Sequence, residues 1–155
     1  MKNPKTLSAV AAFHQTFKHP ILEKPAIPNE KRSKLRVSLI AEELKELEEA
    51  IKDENIVEVA DALCDIQYVL AGAVLEFGLA DKFKELFDEV QRSNMSKACK
   101  SVEEAEATVS HYQKQGVDSY YEKEGDLYLV FRQEDNKTLK SVNYSPADLK
   151  GVLSK

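Results

Sequence analysis

Neither cysteine of this chain, Cys64 or Cys99, belongs to a CxxC or Cys/His spacing, so a disulfide framework and a thiolate zinc site are both excluded and the two read as reduced thiols. No apolar run reaches the ~20 residues that a membrane span requires. The opening MKNPKTLSAV contains no secretory h-region, and a cytoplasmic location is expected. There is no Lys/Arg cluster, and the net charge of −5 with a pI near 5.3 argues against nucleic acid or an anionic membrane as a partner. Internal repeats and low-complexity stretches are absent as well. What remains is 155 residues with 43% hydrophobic and 32% charged content, which suits one globular domain with a sizeable core.

The most informative segment runs from Ile56 to Gly78. At 100° per residue its apolar side chains, Val57, Val59, Ala62, Leu63, Cys64, Ile66, Val69 and Leu70 among them, surround most of a helix. Glu58, Asp61, Asp65, Gly72 and Glu76 fill the remaining stripe. A helix this apolar is expected to be mostly buried, with Cys64 in the core, and buried carboxylates must be protonated, paired with bases or bound to metal. The preceding segment, Lys34 to Glu54, sets Leu35, Val37, Leu39, Ile40, Leu44, Leu47, Ala50 and Ile51 on one face. Glu43 and Glu46 fall inside or at the edge of that face, with Glu42 beside it. Asp53-Glu54-Asn55 breaks the pattern, so the two segments are expected to form an antiparallel hairpin with their acid stripes facing.

Residues 42 to 65 hold ten acids and two lysines, a local balance of −8 that leaves the rest of the chain at +3. Oxygen ligands without His or Cys favour Mg²⁺ or Mn²⁺ over zinc, and four or more carboxylates suffice for two ions. The competing reading is a solvated acidic face, which fits Glu48, Glu49 and Glu54 well.

Elsewhere, residues 6 to 18 read as a helix capped by Thr6 or Ser8 with Val10, Phe13 and Phe17 on one side, followed by an irregular stretch containing Pro20, Pro25 and Pro28. A fourth helix is expected from Asp81 to Gln91. Ser101-Val-Glu-Glu is a capping box opening a helix to about Gln115. Strands follow at 118–123, 126–133 and around Thr138 to Val142, and Ser145-Pro146 starts a last helical turn. His14 and His111 read as packed or surface histidines.

Taken together, Glu42-Glu43-x-x-Glu46 and Glu58-Val-Ala-Asp61-Ala-Leu-x-Asp65-Ile-x-Tyr68-Val resemble the all-α nucleoside triphosphate pyrophosphohydrolases, the group of MazG-like proteins, phosphoribosyl-ATP pyrophosphohydrolase and dimeric dUTPases. Phe13-His14, Phe17-x-His19-Pro20, Leu35-Arg36-Val37, Gly72 to Gly78, Arg92-Ser93-Asn94-Met95-Ser96-Lys97 and the tail motif Lys140 to Leu149 resemble its MazG-related subgroup. The resemblance implies a mainly α helical bundle, residues 1–97, interrupted at 98–136 by a helix and β-hairpin or three-strand insertion in the same globular unit. Residues 137–155 would then return to the core. The insertion has no reading beyond a lid or an oligomer contact. One departure stands out: the relatives' glutamate before Asp65 is Ala62 here, while Glu58-x-x-Asp61 satisfies the same ExxD spacing a turn earlier, so two registers of metal ligands remain open.

The implied activity is Mg²⁺-dependent cleavage of a (d)NTP to a (d)NMP and pyrophosphate in nucleotide-pool house-cleaning. Glu43, Glu46, Asp61 and Asp65 are the first metal ligands, Glu58 is a further one, and Glu42 orients or deprotonates the attacking water, with Glu43 sharing the catalytic role. Arg36, Arg92, Asn94, Lys97, Lys140 and Tyr144 are the substrate contacts, and Gly72 leaves room for a ligand or for close helix packing. A homo-dimer or homo-tetramer is implied. The alternatives are phosphoribosyl-ATP hydrolysis in histidine synthesis and a non-catalytic helical adaptor.

Overall fold

The computed structural model describes residues 4–154, so the extreme ends of the first and last expected segments lie outside it. Six helices and one two-stranded sheet occur among the described residues: α1 (Thr6–Thr16), α2 (Glu30–Lys52), α3 (Ile56–Glu76), α4 (Phe83–Met95), α5 (Val102–Gln113), β1 (Ser119–Glu124), β2 (Leu127–Arg132) and α6 (Leu149–Leu153). The mainly α class expected from the sequence is what the chain adopts. It divides into two compact units, residues 1–84 and 85–155.

In the first unit, α3 packs against both α1 and α2. The α2–α3 turn forms where the pattern breaks: Asp53 ends α2, Glu54 takes a left-handed conformation at φ 53°, and the Asn55 side chain caps α3 by accepting from the N–H groups of Val57 and Glu58. Helix α2 starts at Glu30, four residues before Lys34, because Asn29 caps it by accepting from the Arg32 N–H. At α1 the expected Thr6 or Ser8 cap is absent. The N-cap is Lys5, and the Ser8 hydroxyl instead donates to the Lys5 carbonyl.

The proline-bearing stretch is held by backbone bonds from Leu22 N–H to Leu75 O and from Ala26 N–H to Phe77 O. It passes so close to the end of α3 that a Cβ on Gly78, itself at φ +65°, would strike the Lys24 carbonyl. Val10, Ala71 and Leu75 form the buried centre of this unit, each large side chain contributing roughly 1.5–3 kcal/mol by leaving water.

The all-round burial expected for α3 does not occur within the chain. Ile56, Val57, Leu63 and Leu70 are exposed, as is Cys64, because α1 and α2 cover only part of the helix circumference.

The second unit packs α5 on the β1–β2 hairpin around Cys99, Ala105, Val130 and Leu139. The strands are antiparallel, with Tyr121 opposite Val130. Helix α4 runs on to Met95. The expected third strand is reduced to one bridge, Phe131 with Thr138, plus the bond from Leu139 N–H to Val130 O. Half of the expected capping box forms: Ser101 Oγ accepts from the Glu104 N–H, whereas the Glu104 carboxylate accepts from the N–H of Lys100, the residue before the cap, and from the Ser141 hydroxyl. Those bonds outweigh the burial that would raise the Glu104 carboxyl and hold it below its ordinary range. The last helix begins at Leu149 under an Asp148 cap, later than Ser145-Pro146. Among the described residues no helix is long and apolar enough to cross a membrane.

Candidate functional site

The acid residues separate into two environments along the α2–α3 pair. Near the turn, Glu43 and Asp65 are half-buried, whereas Glu42, Glu46, Glu58 and Asp61 are exposed, so this end of the pair is wetter than a dry bundle interior. Glu43 lies at the electrostatic centre. Burial, and then the negative charge of Asp65, Glu46, Glu42 and Asp61, pushes its carboxyl above the ordinary range. Among the described residues no base forms an ion pair with any of these five side chains. Glu58 occupies the first turn of α3, where a carboxylate complements the helix dipole. Ala62 is buried at 3% exposure, so the register that begins at this position turns it into the helix packing rather than toward the wet side.

As the side chains stand, no three His, Cys, Asp or Glu groups among the described residues converge closely enough to hold an ion. The chemistry of the donor set nevertheless fits a hard divalent cation: oxygen ligands only, on two adjacent helices, with repulsion that a cation would relieve.

Two to three turns further from the turn, the stripe finds a different partner. Glu76 is buried and paired with both Arg32 and Arg36, the Arg32 Nε–H donating to its Oε2 at 2.9 Å. Burial alone would raise this carboxyl, but the two guanidinium donors outweigh it and hold it below its ordinary value. Arg36 is therefore no free surface cation. It is 6% exposed, and its Nη2 lies 3.4 Å from His14 Nε2. His14 is pushed down by burial, an effect the Pro20 carbonyl only partly offsets, so it is neutral at pH 7, with Nδ1 donating to that carbonyl at 2.9 Å and Nε2 left as an acceptor.

Gly72 makes this arrangement possible. A Cβ there would sit 2.6 Å from Arg36 Nη1 and 3.2 Å from His14 Nε2. Because Glu76 pins the guanidinium, Gly72→Ala is expected to cost about 1–3 kcal/mol, measured by urea unfolding; an unchanged midpoint would show that Arg36 is free to move.

A cavity of about 210 Å³ is lined by Phe13, His14, His19, Leu35, Arg36, Leu39, Tyr68, Val69 and Gly72, among others. Phe13 stacks on His19 with centroids 5.7 Å apart and meets Tyr68 edge-on at 5.6 Å. The signal for it in the sequence was the Phe13-His14 and His19-Pro20 motifs, whose role as a wall shows only once α1 packs on α3.

The remaining expected contacts belong to the second unit and form a clasp. Arg92 donates to Glu89, to Ser145 Oγ and to the Pro146 carbonyl; Ser93 Oγ and Tyr144 OH are 2.9 Å apart; Ser141 N–H donates to the Lys97 carbonyl. Lys140 Nζ lies 4.5 Å over the Tyr144 ring. The motif on α4 and the tail motif are thus a mutually bonded pair. Asn94 is exposed and Lys97 half-buried beside it.

A helical hairpin carrying a crowded carboxylate set is the architecture of an all-α nucleoside triphosphate pyrophosphohydrolase. The chain belongs to the phosphoribosyl-ATP pyrophosphohydrolase family, whose profile matches residues 10–94, more than half of its length. It is also similar to the uncharacterized protein L479 of Acanthamoeba polyphaga mimivirus, at 26% identity with 94% of each chain covered. Membership makes the protein a pyrophosphohydrolase, a hydrolase acting on phosphoric anhydrides.

Proposed function

We propose that this pyrophosphohydrolase cleaves (d)NTPs between the α- and β-phosphates, with Mg²⁺ or Mn²⁺, and serves nucleotide-pool house-cleaning in the cytoplasm. The observation that carries the reading is Glu43, whose carboxyl is raised by burial and by four neighbouring carboxylates with no base to balance them. In this reading Glu43, Glu46, Asp61 and Asp65 hold the divalent ion, with Glu58 within reach along the helix. The ion supplies charge neutralisation for an approaching triphosphate and acidity for the attacking water. Glu42, exposed at the margin, orients that water or takes its proton. Arg92, Asn94, Lys97, Lys140 and Tyr144 are the substrate contacts of this reading.

The exposed apolar positions Ile56, Val57, Leu63 and Leu70 support a homo-dimer or homo-tetramer in which another copy covers α3. Net charge −5 supports a nucleotide rather than nucleic acid as partner, with no membrane involved. The family match ends at residue 94, which supports reading 98–136 as an insertion between a 1–97 core and a 137–155 tail.

The family's name favours a second reading, phosphoribosyl-ATP hydrolysis in histidine synthesis. Chelator-stripped protein assayed on NTPs, dNTPs and phosphoribosyl-ATP decides between them. Metal-dependent monophosphate plus pyrophosphate from (d)NTPs is the expected result. Turnover of phosphoribosyl-ATP alone would replace the reading with the second, and orthophosphate as product would refute both.

A further inference from the structure

We propose that a second copy of this chain packs on the face of the α2–α3 hairpin opposite the carboxylates, in a two-fold arrangement that sets α2 of one copy antiparallel to α2 of the other. This rests on the assembly offered with the hydrolytic reading and adds its surface, its symmetry and its charge pairs.

Heptad spacing builds the face. Val37, Leu44 and Ile51 on α2, and Ile56, Leu63 and Leu70 on α3, recur every seven residues and are between 41% and 75% exposed. Seven residues make close to two turns, so each set forms one stripe along its helix. Half-buried Ile40 and Leu47 complete an a/d pattern on α2, the seam that helix-to-helix interfaces bury.

At 100° per residue the stripes stand roughly 160° round their helices from Glu46 on α2 and Asp65 on α3. Because Glu43 feels the charges of both Asp61 and Asp65, the acids of the two helices share one side of the hairpin. The two apolar stripes therefore share the other side, and covering them leaves the carboxylates of each copy facing outward.

Charge identifies the occupant. Lys34, Ala41 and Glu48 form another seven-residue series along the margin of the α2 stripe, and all three are exposed. Lys34 and Glu48 each lie two turns from Ala41. A two-fold axis that passes beside Ala41 and across the hairpin thus sets Lys34 of each copy against Glu48 of the other, with the two small Ala41 side chains at the crossing. A parallel, in-register alignment would oppose lysine to lysine and glutamate to glutamate. Within the single chain Lys34 pairs with Glu30, but their side chains are 76% and 80% exposed, and a pair that open to water is weak enough to exchange.

The test is sedimentation equilibrium of the full chain, as wild type and as Leu63→Glu, Lys34→Glu, Glu48→Lys and the double charge swap Lys34→Glu/Glu48→Lys. Wild type is expected to sediment as a dimer or a larger even assembly, and Leu63→Glu at half that mass. Each single charge reversal is expected to weaken association by about tenfold, since symmetry repeats the altered pair, and the double swap to restore it. A monomeric wild type, an assembly that Leu63→Glu leaves intact, or a double swap no tighter than the single reversals would overturn the proposal. If Leu63→Glu does not fold, the charge series decides alone, because Lys34 and Glu48 both lie at the surface. Assays of (d)NTP cleavage on the same wild-type sample keep the two readings apart. The expected assembly without turnover leaves the interface and removes the hydrolytic reading, whereas a monomer that cleaves (d)NTPs does the reverse.

Discussion

Glu43→Gln is expected to lower Mg²⁺-dependent turnover by roughly 10²–10³-fold, the scale of removing one well-placed electrostatic group from a reacting centre. The same substitution is expected to raise the melting temperature in chelator. Because the folded state raises the Glu43 carboxyl, its contribution to stability is fully present below the unfolded carboxylate pKa and is lost as pH rises through the folded one. At neutral pH the apo protein therefore carries the repulsion among Glu43, Asp65, Glu46, Glu42 and Asp61, and a neutral side chain relieves it. Mg²⁺ relieves it too, so wild type should gain stability with added ion, by about 2.7 kcal/mol at a hundredfold excess over Kd, and the variant should gain less. Calorimetric melts with and without Mg²⁺, paired with product assays, check both halves. A variant with near-wild-type turnover, or a wild type indifferent to Mg²⁺, would make the acidic stripe a solvated face.

Glu76→Gln is expected to have the opposite signature, a large loss of stability with no metal dependence. One buried carboxylate neutralises Arg32 and Arg36, and Arg36 is itself buried. Removing that charge leaves an uncompensated guanidinium in a poorly hydrated site, a loss of about 3–5 kcal/mol. For a chain of this length the melting temperature should fall by on the order of 6–20 °C. The pH dependence has a definite sign. Glu76 is held below its ordinary value, so its stabilisation is present above the unfolded carboxylate pKa and disappears as pH falls through the folded one, and the variant should show a flatter acid limb. A loss below about 1 kcal/mol would mean that the pair is solvated. Replacing Glu76 and Arg36 together by apolar residues should recover much of the loss, since the penalty lies in the orphaned charge.

Much of this was legible without coordinates because it is local. The periodicity around Leu35 to Ile51 and Ile56 to Phe77, the Asp53-Glu54-Asn55 break and the Ser101 capping box depend on residues within a turn or two of each other, and each element formed within a few positions of where it was expected. The grouping of Glu43 and Glu46 with Asp61 and Asp65 followed from the antiparallel hairpin alone. Periodicity failed where it was asked about surroundings. It reads α3 as a buried helix and Cys64 as core, but how much of a cylinder is covered depends on how many neighbours pack on it, and among the described residues α1 and α2 are the helices that pack on α3, leaving Cys64 exposed.

The identity of each acid's partner is likewise a tertiary fact. Glu76 and Asp65 occupy one sequence stripe, yet the first meets two arginines from α2 and the second meets more carboxylates. Arg36 lies one heptad before Glu43 and looked like a phosphate contact, but the close approach over Gly72 ties it to Glu76 and His14. So the sequence by itself determined the helical class, the hairpin and the focus of negative charge, since all three come from short-range pattern. Only the tertiary structure decided which charges are neutralised, which are left without a base, and where α1 packs beside them, because those depend on contacts between residues 22 to 59 positions apart, such as His14 with Arg36, Arg36 with Glu76, and Asp148 with Glu89.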